Sequence, residues 1–132
     1  MFIHQKTAIF FSRLSLFIIY VWFGLLKVLG VSSANPLVLD LLQETMSFMS
    51  SGNFLIILGV VEITIGILIF TGKFPKLTLV IFSAHMIATL LPLLLLPAVT
   101  WVKPWVPTME GQYIIKNLVI MALYLNIFRT RL

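Results

Sequence analysis

The stretch "LGVVEITIGILIF", from Leu58 to Phe70, places one carboxylate, Glu62, among residues that are otherwise apolar, Gly or Thr. The apolar run extends back to Phe54 and shows none of the polar–apolar alternation of a barrel strand. Its length suits a helix that crosses a bilayer, which needs about 17–25 residues. The stretch therefore predicts a transmembrane helix over 54–70 that carries an acid.

The rest of the chain has the same character. It has 132 residues, of which 61% are hydrophobic and 10% charged, whereas a soluble domain carries about 25% charged residues. Further apolar segments predict helices over about 9–29, 77–97 and 113–128, with Pro92 kinking the third. We therefore predict an all-α, polytopic membrane protein in which residues 1–132 form a single four-transmembrane-helix bundle.

The segment between the first two helices, "PLVLDLLQETMSFMSSGN", is long for a plain loop. Leu37, Leu41 and Leu42 share one helical face, while Asp40 and Glu44 lie elsewhere. This pattern predicts a short helix on the outer surface.

The loop before the fourth helix carries Trp101 and Trp105. Tryptophan is enriched at the level of the lipid headgroups. We therefore expect both side chains in the headgroup belt.

The basic residues indicate the orientation in the membrane. Because cytoplasmic loops are enriched in Lys and Arg, the basic N-terminus, second loop and C-terminus are predicted to be cytoplasmic. A multi-pass membrane location with the lipid bilayer as the main partner follows, and no nucleic-acid partner is expected. The residues that indicate this orientation are Lys6, Arg13, Lys73, Lys76, Arg129 and Arg131.

Several polar side chains fall on shared helical faces inside the predicted spans. On the first helix, Arg13, Tyr20, Gly24 and Lys27 lie close to one stripe. Because an ionised side chain in hydrocarbon costs about 2.5–3.5 kcal/mol, such residues are expected to face the bundle interior. The predicted ligand-binding residues are Glu62, His85, Lys27, Lys116, Asn117 and Tyr20.

Depth suggests how these residues pair. At about 1.5 Å of rise per residue, Glu62 and His85 both fall near the middle of the membrane, and a lysine stem can reach them from nearer the surface. Other interpretations stay open: Glu62 as a structural ion-pair partner or a protonated acid, His85 as a packing residue, and Lys27 and Lys116 reaching outward instead. Arg13 is interpreted as an anchor near the cytoplasmic face.

Other kinds of chemistry find little support. The chain has no cysteine, so a redox role would need a bound cofactor or a partner protein. One histidine and one acid within the membrane are too few for a metal site, and His4 lies outside it, so neither metal nor haem is expected. With no nucleophile–base set either, the chain is not expected to be an enzyme on its own.

Four motifs resemble a known group. The segments "RLSLFIIYVWFGLLK" (Arg13–Lys27), "LGVVEITIGILIF", "WVP" (Trp105–Pro107) and "IIKNLVIM" (Ile115–Met121) resemble the YkgB/RclC group of bacterial inner-membrane proteins, within the DoxX-like superfamily. The resemblance implies a four-helix bundle and an association with oxidative or reactive-chlorine stress. DoxX-like relatives include a membrane subunit of thiosulfate:quinone oxidoreductases. The polar residues that match by position are Arg13, Lys27, Glu62 and Lys116.

Three functions compete at this point. The first is an accessory membrane subunit in redox or stress metabolism, which binds a quinone or another lipophile at the polar cluster and works with a redox partner protein. The second is a small proton or solute transporter, which would need a homo-oligomer because four helices without a repeat make a poor pore. The third is a non-catalytic scaffold or assembly factor whose buried charges fix helix register.

Overall fold

The structure is a computed structural model that describes residues 3–129. It is almost entirely helical, with one short hairpin of strands between the third and fourth membrane segments. In chain order the elements are α1 (Gln5–Val28), α2 (Asn35–Thr45), α3 (Ser51–Thr71), α4 (Pro75–Leu90), α5 (Pro92–Leu95), α6 (Pro97–Thr100), β1 (Trp101–Lys103), β2 (Val106–Pro107), α7 (Met109–Ile115) and α8 (Asn117–Phe128).

Four helical segments among the described residues are long and apolar enough to cross a membrane. They are Gln5–Val28, Ser51–Thr71, Pro75–Leu95 and Met109–Phe128. Most of their surface is not covered by protein, as expected of helices whose outer faces meet lipid. The all-α, multi-pass membrane architecture predicted from the sequence is therefore confirmed, and the short helix expected after the first span is α2.

Local capping sets several of the helix ends. The fourth span starts at Met109, four residues before the predicted start, because the Thr108 hydroxyl accepts the Gly111 N–H at 3.1 Å and caps α7. Ser50 caps α3 in the same way through the Asn53 N–H, at 3.4 Å. At the other end, Gly72 adopts a left-handed φ of 69° and ends α3.

Two of the spans are interrupted. Pro92 has no N–H and separates α4 from α5, as the sequence suggested. The second interruption was not expected: α7 ends at Ile115, and α8 begins again at Asn117. The Val119 N–H donates to the carbonyl of Lys116 at 3.0 Å, which is the tighter bonding pattern of a local turn.

The tightest packing in the bundle joins α1 to α3 through glycines. A Cβ atom added to Gly24 would lie 2.6 Å from the Gly59 carbonyl oxygen, and one added to Gly59 would lie 2.5 Å from the Gly24 carbonyl oxygen. Gly66 lies against Val21 in the same way. These small residues let the two backbones come into direct contact, and this contact places Glu62 against α1.

The buried core lies toward the end of the bundle that carries the termini. Phe82 and Tyr124 stack there with ring centroids 4.1 Å apart. Arg13 is directed to this core: its Nη1 donates to the Ile69 carbonyl at 2.8 Å, and its guanidinium lies 5.1 Å from the centre of the Phe128 ring. Arg13 therefore joins α1 to α3 and α8, in addition to any contact with the membrane surface.

At the opposite end, a hairpin of β1 and β2 connects α6 to α7. The Trp101 Nε1–H donates to the Leu93 carbonyl at 2.9 Å, so this side chain holds the hairpin against α5 and is only partly exposed. Trp105 lies at the tip with a φ of 68° and is 93% exposed. The two tryptophans, which the sequence suggested were alike, have different surroundings.

Candidate functional site

Three ionisable side chains from three helices meet in the interior of the bundle. Lys27 of α1 places its Nζ 3.0 Å from Oε1 and 2.9 Å from Oε2 of Glu62 on α3. His85 of α4 places its Nε2 3.1 Å from the same Oε1. We call Lys27, Glu62 and His85 the polar triad.

The polar triad is enclosed and electrically balanced. Each of its three residues is at most 7% exposed, so a net charge there would carry the full cost of burial in an apolar medium. Lys27 and Glu62 cancel each other's charge, so a neutral imidazole ring would complete a triad without net charge. Because a carboxylate can only accept hydrogen bonds, the proton of the neutral ring is assigned to Nε2. His85 Nδ1 is then an acceptor.

The polar triad forms part of the wall of a cavity of about 530 Å³. The lining is mostly aliphatic and aromatic, with contributions from all four spans and from α2. Leu37, Val38 and Leu41 of α2 line the cavity at the end of the bundle opposite the termini. The face of α2 that was predicted to be apolar therefore contacts this space.

Two further residues that the sequence singled out also reach the cavity. Tyr20 is buried, and its ring centroid lies 5.7 Å from that of His85. Asn117, half-buried at the start of α8, lies in the lining as well. The structure thus brings five of the six predicted binding residues to one cavity: Lys27, Glu62, His85, Tyr20 and Asn117.

Lys116 is the exception, and its position agrees with the outward orientation that the sequence left open. It is exposed and does not line the cavity. Its assignment to the cluster assumed one continuous helix through the fourth span, whereas the chain turns at Lys116 between α7 and α8. Tyr113 and Asn117, on either side of this turn, both line the cavity, and Lys116 lies beside the face that they share.

Sequence reasoning missed several lining residues. Met109, Glu110 and Tyr113 belong to α7, whose start lies outside the predicted fourth helix, and Ala88 and Pro92 flank the interruption of the third span. The one signal that could have found part of this set is Pro92, because broken membrane helices often line binding sites. Among residues 3–129, no group of three or more His, Asp or Glu side chains could hold a metal ion.

Comparison of the chain with family models, with curated proteins and with solved structures gave no match. The resemblance to the YkgB/RclC group therefore depends on the quoted sequence motifs and stays a hypothesis. Any functional proposal has to be carried by the polar triad and the cavity.

Proposed function

We propose that this chain is a membrane-embedded binding subunit that holds a lipophilic ring compound, a quinone or its reduced form, in the cavity next to the polar triad. The observation that carries the proposal is the position of Lys27, Glu62 and His85 on the wall of a largely apolar space of about 530 Å³. Cavities for organic ligands are of this size, about 300–1,000 Å³, and combine an apolar lining with few polar groups.

The chemistry of the polar triad suits an oxygen-bearing ring. A lysine ammonium has three N–H donors, and one of them donates to Glu62 Oε1, so another can donate to a ligand. A ring oxygen that accepts this hydrogen bond would be held by a charged donor without adding net charge to the membrane interior. The apolar wall, including Phe23, Leu26 and Met86, would take the ring and its substituents.

The proposal also includes the orientation of the chain in the membrane, a partner protein and a biological role. The positions of the basic residues favour both termini in the cytoplasm of a bacterial cell and the cavity at the outer side of its inner membrane. A redox partner protein would supply the electron-transfer chemistry, because a cysteine-free chain offers no thiol for it. The resemblance to the YkgB/RclC group favours a role in oxidative stress.

The experiment is to purify the chain in native-lipid nanodiscs and to measure co-purified quinone by mass spectrometry. Binding of added decylubiquinone is then measured by equilibrium dialysis. Glu62→Gln, which removes the negative charge of the polar triad, is expected to lower binding at least tenfold. Glu44→Gln, at an exposed acid of α2 that does not line the cavity, is the matched control and is expected to bind normally.

A wild-type preparation that holds no quinone and takes up none of the added ring compounds would refute the proposal.

One observation favours a second function, that of a structural scaffold: the polar triad is closed on itself by contacts of 2.9–3.1 Å. A scaffold predicts that Glu62→Gln lowers stability while neither protein binds a ring compound.

A further inference from the structure

The interruption of the third span leaves one backbone hydrogen-bond acceptor of a cavity-lining residue without its helical donor. Ala88 and Pro92 both line the cavity. In an uninterrupted helix the carbonyl of residue 88 would accept the N–H of residue 92, but proline has none. The Leu91 N–H donates instead to the Ile87 carbonyl at 3.2 Å. The Ala88 carbonyl therefore lacks its helical donor.

The polar triad adds a second acceptor beside the first. With the ring proton on Nε2, His85 Nδ1 is an acceptor, and it has no hydrogen-bond partner among residues 3–129. The hydroxyl of Tyr20 is also without a partner in this described part of the chain. Both side chains are buried and line the cavity.

The hydrogen-bond donors and acceptors of the cavity lining restrict the chemical class of the ligand. A quinone carbonyl can only accept, so it can pair with the free N–H of Lys27 or with the Tyr20 hydroxyl but with neither acceptor. A ring hydroxyl can donate to the Ala88 carbonyl or to His85 Nδ1 and still accept from Lys27 or Tyr20. A buried acceptor that is left unpaired costs free energy. The cavity wall therefore favours ligands that carry a hydrogen-bond donor over ligands that carry none.

We infer that the cavity selects ring compounds that carry a hydroxyl group, phenols or hydroquinones, over the corresponding quinones. The inference rests on the proposed function, because it assigns the ligand class of the same cavity. It concerns binding alone and needs no electron transfer by this chain.

The test compares three compounds that share one ring and one tail: decylubiquinol, decylubiquinone and the dimethyl ether of the quinol. Binding to the full chain in nanodiscs is measured by equilibrium dialysis without oxygen. The quinol is expected to bind about tenfold more tightly than the quinone. The dimethyl ether, which keeps the shape but has no O–H, is expected to bind no better than the quinone.

Two pairs of variants test which residues produce the preference for the quinol. Pro92→Ala supplies an N–H to the Ala88 carbonyl and is expected to shrink the ratio of quinol to quinone affinity severalfold. Pro97→Ala makes the same substitution at an exposed proline outside the cavity and is expected to leave this ratio unchanged. Tyr20→Phe removes a hydroxyl from the cavity lining, and Tyr124→Phe is its control. Both hydroxyls are buried and have no hydrogen-bond partner among residues 3–129, but only Tyr20 lines the cavity.

The possible results separate the two proposals. Quinone or dimethyl ether binding as tightly as the quinol would overturn the inference and leave the proposed function standing. The same holds if Pro92→Ala keeps the full preference although its helical content and thermal unfolding show a folded protein. If none of the three compounds binds, the proposed function fails first.

Discussion

At the scale of single residues, Glu62 is where the cost of a buried charge is concentrated. It accepts two hydrogen bonds, from Lys27 and His85, and each partner comes from a different helix. Removing one member of a buried ion pair costs more than the pair itself contributes, because the remaining charge has no partner. The stability of the bundle should therefore depend on the charge balance of the polar triad.

We predict that Glu62→Gln destabilises the protein by about 3–5 kcal/mol, the usual cost of leaving a buried charge unpaired. Gln keeps an oxygen that can accept from His85, so the loss comes from the unpaired ammonium of Lys27. Thermal unfolding followed by circular dichroism in detergent measures it. Glu44→Gln should unfold like the wild type, since Glu44 is exposed.

A charge-balanced double variant provides the stricter test. Lys27→Met combined with Glu62→Gln removes both charges and keeps similar side-chain volumes. We predict that it loses less stability than Glu62→Gln alone, because no unpaired charge remains in the apolar interior. Additive losses from the two substitutions would show that the ion pair has no energetic coupling and would contradict this account.

At the scale of elements, the contact between α1 and α3 positions the site. Gly24 and Gly59 face each other so closely that a side chain on either would meet the opposing backbone. Lys27 follows Gly24 by three residues and Glu62 follows Gly59 by three, which places each charge one turn from the glycine on its own helix. The glycine contact therefore brings the ammonium and the carboxylate within pairing distance.

We predict that Gly59→Ala destabilises the bundle by about 1–3 kcal/mol or more, the range for overpacking a close contact. The added methyl group would overlap the Gly24 carbonyl and the Val28 side chain, which pushes α1 away from α3. Thermal unfolding and, separately, quinol binding would both report the shift. Gly52→Ala is the control, because a Cβ there has nothing within 4 Å.

The hydroxyl of Thr108 holds the start of α7 in two ways. It accepts the Gly111 N–H at 3.1 Å and donates to the Val99 carbonyl at 2.6 Å. Thr108→Val keeps the shape and removes both bonds, so we predict a loss of about 1 kcal/mol or somewhat more. Because α7 contributes Met109 and Tyr113 to the cavity, ring binding should weaken in parallel. Unchanged binding at reduced stability would show that the α7 wall is not needed.

At the scale of the whole molecule, the fold followed from composition and much of the site from helical periodicity. Long apolar runs admit few structures in a bilayer, so the four spans could be predicted. Periodicity also grouped Glu62, His85 and Lys27, because charges in a membrane helix face inward. It left open whether Lys116 faces inward or outward, and in the structure this side chain is exposed and outside the cavity lining. The cavity itself depends on how α2 and α7 pack, which no local pattern encodes.

The side of the membrane on which the cavity lies is the last property to be tested. Each crossing of the bilayer reverses the side, so Gln5, the first residue of α1, and Ser33, just after this helix, must lie on opposite sides. The basic residues favour Gln5 in the cytoplasm and Ser33, which lines the cavity, outside. Both residues are exposed and uncharged, and the chain has no cysteine of its own. Gln5→Cys and Ser33→Cys therefore report the orientation without altering the charge distribution that sets it.

We predict that a membrane-impermeant maleimide labels Ser33→Cys in intact spheroplasts and labels Gln5→Cys only after lysis. The cysteine-free parent measures background labelling, and complete labelling of both variants in detergent shows that each thiol is accessible. If Gln5→Cys is the variant labelled in intact spheroplasts, the orientation is inverted and the cavity lies toward the cytoplasm.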